Sequence, residues 1–137
     1  MRPLKFRVWD KEYKDWLAQD TFAISDKGDV LTYRSGGLLG PTWLLENNSE
    51  IFIIQQFTGL LDKNGKEIYE GDIITVNNFY IKSGKQVSDE IIFSKGSFIT
   101  KKREKSIYYE NDFMGKPWSV IIGNIFENKE LLTQIDK

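Results

Sequence analysis

No cysteine and no histidine occurs among the 137 residues. That excludes disulfides, thiol nucleophiles, zinc sites built on either residue, and any catalytic triad whose base is an imidazole. Carboxylates, lysines, hydroxyls and tyrosines are the side chains left for chemistry. A chain without thiols is also indifferent to reducing and oxidising spaces, so redox does not constrain its compartment. Long apolar runs are missing too. Runs such as residues 51–54 (IFII) and 120–122 (VII) are far too short to span a bilayer, and the opening MRPLK has no apolar signal-peptide core. The expectation is a cytoplasmic protein with no membrane association.

What is present is an ordinary globular composition, 40% hydrophobic and 14% aromatic. It suits one domain, or two small β units sharing a core. The net charge of −1 is unevenly spread: residues 1–78 carry nine basic and twelve acidic side chains, residues 79–105 seven and three, and residues 106–137 three and five. Any anion-binding face should therefore involve the segment from Lys82 to Lys105.

Leu4, Phe6 and Val8 alternate with Lys5, Arg7 and Trp9, the period of a strand with one buried face, and Trp16 and Leu17 read as its return partner. Residues 21–24 and 30–33 form a second strand pair around SDKGD, where glycine supplies a tight reversal. Residues 35–41 (SGGLLGP) disfavour helix and strand interiors and read as a flexible connection with a soft boundary near Gly36. The apolar run 51–54 reads as a buried strand, and Asn64-Gly65 as a type I′ hairpin turn. Further strands are expected over 73–76, 90–93, 98–101 and 120–122, and Asn128 is placed to cap a short helical turn through Leu132. The expected fold is mainly β: N-terminal hairpins over residues 1–50, packed with a small SH3-like, partly open barrel over residues 51–137.

Three blocks stand out: residues 4–10 (LKFRVWD), 56–74 (QFTGLLDKNGKEIYEGDII) and 120–132 (VIIGNIFENKELL). In these blocks the chain resembles the YopX-like family of phage and prophage proteins. The central one, with Thr58-Gly59-Leu60, Asn64-Gly65-Lys66-Glu67 and Tyr69-Glu70-Gly71-Asp72, is the most specific. The chain departs from the usual pattern at Lys129, where proline is common, and at Phe126, where tyrosine is common. The resemblance implies a phage or prophage accessory protein and carries no catalytic residue with it.

Asp62, Glu67, Glu70 and Asp72 form the densest carboxylate group. Such a group suits acid–base work or a divalent ion, and so a carboxylate-dependent hydrolase. A calcium loop starting at Asp62 needs glycine and glutamate where this chain has Glu67 and Ile73. Asp and Asn at turns ordinarily bond their own backbone, which is the reading favoured here, so no catalytic, metal or cofactor site is assigned. Gly59, Gly65 and Gly71 do not form a phosphate loop, since neither a Gly-Lys-Ser/Thr nor a GxGxxG arrangement occurs. Lys95, Lys101, Lys102, Arg103 and Lys105, with Tyr108 and Tyr109 nearby, combine cations with rings as a grip on single-stranded nucleic acid would, against the alternative of solvated loop lysines. Trp9 and Trp16 are expected in the core, and Trp43 is the candidate for an interface contact. The leading functional reading is a non-enzymatic module that binds a protein partner or its own copies. Nucleic-acid binding through residues 82–105 is the alternative, and a hydrolase is the weaker third.

Overall fold

The computed structural model describes residues 3–35, 38, 41–46, 50–77, 86–101 and 119–132. The fold is mainly β, with a curled half-barrel sheet and one 3-10 turn, Lys129–Leu132. Eleven strands are described: β1 (Phe6–Asp10), β2 (Asp15–Trp16), β3 (Phe22–Ile24), β4 (Val30–Ser35), β5 (Pro41–Glu46), β6 (Phe52–Leu61), β7 (Glu67–Tyr69), β8 (Asp72–Asn77), β9 (Gln86–Ser94), β10 (Ser97–Thr100) and β11 (Val120–Asn124). Among the described residues no helix is long and apolar enough to cross a membrane. The chain divides into two compact units, one made of Met1–Lys5 with Gln56–Lys137 and the other of Phe6–Gln55.

Within Phe6–Gln55, β1 returns through β2 with Trp9 opposite Trp16, and the two indoles meet edge to face at 5.0 Å. Arg7 lies over the Trp16 ring at 4.4 Å while its Nε donates to Gln55 Oε1 at 2.9 Å. The expected burial of one β1 face is corrected here. Leu4 and Phe6 are exposed, whereas Val8 and Trp9 are both buried. The Trp9–Trp16 contact covers the second face at the hairpin end, so alternation gives way to two-sided burial.

The hairpin of β3 and β4 forms as its pattern predicts, with Ile24 opposite Val30. β4 then pairs with β5 from Val30↔Glu46 to Ser35↔Pro41. The soft boundary expected near Gly36 lies outside the described residues, and the paired strands on either side of it both belong to Phe6–Gln55. β5, which sequence reasoning missed, lies within 41–46, where no period-two alternation announces it.

In the other unit the sheet order is β10-β9-β8-β11. Directly opposed residues share a face, so the pairs Ile74↔Asp89, Ile91↔Thr100, Phe93↔Phe98 and Ile74↔Ile121 define its inner surface. Ile74 and Ile91 are fully buried there with Ile68 from β7, and Phe98 and Ile121 pack against them. Thr100, 1% exposed, has a hydroxyl with no hydrogen-bond partner among the described residues. Replacing it with the isosteric Thr100→Val should therefore raise stability by about 1 kcal/mol, read as a higher urea midpoint with an unchanged slope. A lower midpoint would mean that the hydroxyl is satisfied after all.

β6 is longer than the apolar run that announces it. Residues 51–54 are half-buried, while Gln55, Phe57 and Thr58 are buried. Its early half falls in one unit and residues 56–61 in the other.

Candidate functional site

The segment with the densest polar chemistry, residues 55–72, is organised by two irregularities. The first is a bulge. Between Phe57↔Tyr69 and Leu61↔Glu67 the register of β6 slips, and Gly59 takes φ 88°, a conformation that only glycine adopts at little cost. Thr58 holds the bulge: its hydroxyl donates to the Ile68 carbonyl at 2.8 Å and accepts from the Leu60 amide at 3.2 Å. The bulge breaks the alternation of the strand, so the successive residues Leu60 and Leu61 are both exposed, at 38% and 51%.

The second irregularity is the turn at residues 62–66. The Gly65 amide donates to the Asp62 carbonyl at 3.0 Å, and the Asp62 amide to the Lys66 carbonyl at 2.8 Å. Only Gly65 of the loop has positive φ, at 80°. A type I′ turn needs positive φ at both central residues. The expectation at Asn64-Gly65 is therefore corrected to a type I turn closed by a left-handed glycine. The cause is Asp62, whose Oδ1 accepts the amides of Asn64 at 2.8 Å and Lys66 at 2.9 Å and winds the chain around itself. The turn at residues 25–29 is built alike. Ser25 Oγ accepts from Lys27 at 3.2 Å and Asp29 at 3.0 Å, and Gly28 has φ 84°. The two-residue I′ geometry occurs instead at Lys95-Gly96, with φ 49° and 83°, between β9 and β10.

Asp62 does more than close its own loop. Its Oδ2 accepts the Ile121 amide of β11 at 3.1 Å, and the adjacent Lys63 amide donates to the Ser119 carbonyl at 2.8 Å. Burial pushes the Asp62 carboxyl up, but the amides of Ile121, Lys66 and Asn64 and the Lys66 charge outweigh it, and the pKa lies below the ordinary value. Glu67 is also lowered, first by its bond from Lys5 Nζ and then, against the opposing effect of burial, by the Tyr69 hydroxyl at 3.2 Å. Glu70 Oε1 accepts the Gln56 amide at 2.9 Å, and Asp72 Oδ2 accepts the Tyr69 amide at 2.8 Å. All four carboxylates thus hold backbone or neighbouring side chains in place. Among the described residues no group of three or more acidic side chains is arranged to hold a metal ion.

Lys95 sits at the β9–β10 turn, and Lys101 follows β10 at its other end, so the four-residue strand separates the two. Lys101 Nζ donates to Glu90 Oε2 at 3.3 Å across the strand pair. Lys82, Lys85, Lys102, Arg103, Lys105, Tyr108 and Tyr109 lie outside the described residues. Trp43 is in β5 opposite Tyr33. Sequence reasoning missed Phe93, which is 54% exposed and meets Phe98 edge to face at 5.1 Å. Its inward-facing period hides it, because it extends the buried row of Asp89 and Ile91 to the hairpin tip. It also missed Leu60 and Leu61, whose exposure depends on the bulge.

The closing block holds a further organised turn. Asn124 Oδ1 accepts the amides of Phe126 and Glu127, each at 3.0 Å. The expected cap at Asn128 is corrected in direction. Its Oδ1 accepts the Asn124 amide at 3.3 Å, behind it in the chain, while its backbone carbonyl accepts Leu131 at 2.9 Å and starts the 3-10 turn.

The Thr58-Gly59 bulge, the Asp62 loop and the turn held by Asn124 fall in the blocks that carry the family resemblance, and the family model described as YopX protein matches residues 5–133. The chain belongs to the YopX family. Among solved structures, protein EF1440 from Enterococcus faecalis is similar at 27% identity and TM-score 0.64, covering 96% of this chain and 99% of that one. Protein yopX from Bacillus subtilis is similar at 19% identity and TM-score 0.62, with the same coverage of 96% and 99%, and supports the fold. No curated protein matches the chain. Membership in the YopX family thus places the bulge and the Asp62 turn inside a shared fold, and brings no reaction with it.

Proposed function

We propose that this YopX-family protein is a non-enzymatic phage or prophage accessory protein that works by binding a protein partner or a second copy of itself. One observation carries the reading: the segment that looks richest in chemistry buries four of its polar side chains and turns its leucines outward. Gln55, Thr58, Asp62 and Asp72 are buried, while Leu60 and Leu61 are exposed beside a bulge. A buried polar side chain and an exposed large apolar one are the informative departures from ordinary burial, and bulges re-aim side chains at functional surfaces. A carboxylate that positions amides is a structural part, whereas paired exposed leucines suit a contact surface.

The test is the double variant Leu60→Ser/Leu61→Ser. Both side chains are partly exposed, so folding stability should fall by about 1–2 kcal/mol per site, and urea unfolding checks that the variant stays folded. Self-association by light scattering, or capture of a host-cell partner by the tagged protein, should weaken by about tenfold or more. A variant that associates as the parent does would remove this surface from the reading. A parent that neither self-associates nor captures a partner would remove the reading itself.

A further inference from the structure

Residues 79–105 are basic in sequence, and the structure sharpens that bias at the β9–β10 hairpin. Its two described acidic residues are withdrawn from the surface: Asp89 is 4% exposed, and Glu90, 9% exposed, lies under the ammonium of Lys101. Lys101 is paired with Glu90, and Lys95 stands exposed at the tip with no exposed acidic side chain in the described hairpin. Phe93 lies two residues from Lys95, with more than half its surface open to solvent. Phe98, directly opposite, supports it edge to face and packs on the isoleucine core. An exposed ring held on a rigid strand beside a cation offers a stacking face and a phosphate contact together, the combination by which single strands are bound without sequence readout.

We propose that the β9–β10 hairpin is a binding element for single-stranded nucleic acid, with Phe93 as the stacking ring and Lys95 as a phosphate contact. The proposal goes beyond the protein-contact reading and uses different residues, so either can fail alone. Lys95 occupies a left-handed backbone position at the tip, φ 49°, which holds the start of its side chain at the turn. The Lys95 ammonium at the tip suits a phosphate, and the ring beside it suits a strand whose bases are unpaired.

The full chain is titrated by fluorescence anisotropy against a labelled oligothymidylate of about 20 nucleotides and a duplex of equal length, at low and at near-physiological salt. Saturable binding that prefers the single strand and weakens steeply with salt is expected. Phe93→Ala should weaken it about tenfold with the salt slope unchanged, and Phe93→Tyr should retain it. Lys95→Asn, which keeps a residue tolerant of the left-handed turn, should lower the salt slope by about 0.7. Should Phe93→Ala fail to fold, the Lys95→Asn slope decides. No binding at low salt, equal binding of duplex, or unaltered affinity in Phe93→Ala would each overturn the proposal. A Phe93→Ala variant that changes oligomeric mass and leaves oligonucleotide affinity intact would also overturn it, giving the patch to a second copy.

Discussion

Asp62→Ala should destabilise the protein by about 3 kcal/mol, because it strips a buried acceptor from three backbone amides at once. Two of these, Asn64 and Lys66, belong to an exposed turn and can turn to water. The third, Ile121, joins the turn to β11 from 59 positions along the chain, and its loss is the larger part. Asp62→Asn separates the contributions. It can keep the two turn bonds through its carbonyl oxygen but sets an amide group against the Ile121 N–H, and should be destabilised by about 1.5 kcal/mol. Urea unfolding at neutral pH gives the ranking, with the parent most stable and Ala least. An Asn variant as stable as the parent would show that the Ile121 bond contributes nothing. The pH dependence carries the same assignment. The folded pKa of Asp62 is depressed, so its stabilisation is fully present above the ordinary carboxylate value of about 3.9 and is lost as pH falls below it towards the folded value. In that window the unfolded chain binds more protons than the folded one, and stability rises with pH. Asp62→Asn should flatten that rise, measured as unfolding midpoints at successive acidic pH values. Glu67 contributes to the acid limb with the same sign, but its partner Lys5 is half exposed and solvent screens the pair.

Gly123→Ala should cost about 2–3 kcal/mol although the substitution adds a single methyl group. A Cβ at position 123 would stand 2.5 Å from Asn128 Oδ1 and 2.7 Å from both its Cβ and Cγ. Carbon atoms pack at about 3.5–4.0 Å, so one side has to move. Asn128 is a poor candidate for moving, because its Oδ1 holds the Asn124 amide and its own amide is held by the Asn124 carbonyl at 2.9 Å. The strand is equally constrained: β11 is bulged here, with Ile121 opposite Ile74 and Gly123 opposite Ile73. The coupling is measurable. Asn128→Gly removes the obstructing side chain and loses its bond, at about 1 kcal/mol. Adding Gly123→Ala to that background should then destabilise by less than half its effect in the parent, a coupling of at least about 1–1.5 kcal/mol in a double-mutant cycle. Strictly additive losses would place the strain elsewhere.

Much of the fold was legible because the strands that mattered most advertised themselves locally. Residues 73–76, 90–93, 98–101 and 120–122 became β8 to β11 with modest changes at their ends. The hairpin around Gly28 was equally plain, since its turn chemistry lies within five residues. What resisted was everything decided across the sheet. The buried ends of β1 depend on Trp16 reaching Trp9, and the turn at Asn64-Gly65 depends on which conformation Asp62 rewards. The candidate surfaces failed to show for the same reason. Leu60 and Leu61 are turned out by the Thr58-Gly59 bulge, which no sequence pattern announces, and Phe93 continues the row of the buried Asp89 and Ile91. In contrast, the structural role favoured for the carboxylates rested on local turn chemistry, and Asp62 and Asp72 do bond nearby amides.

The division of the chain has a consequence for the order in which the protein comes into being. Met1–Lys5 belongs with Gln56–Lys137, so Phe6–Gln55 is inserted in sequence between the two parts of the other unit. As synthesis proceeds, every residue of Phe6–Gln55 has been made before the Lys5 carbonyl meets the Phe57 amide and before Lys5 meets Glu67, 62 positions later. The inserted unit has its whole sequence at hand early, whereas in the surrounding one Lys5 joins only by closing a long loop. During synthesis Lys5 is therefore made before either of its partners in this unit, and those contacts form only once residues 56–67 have been translated.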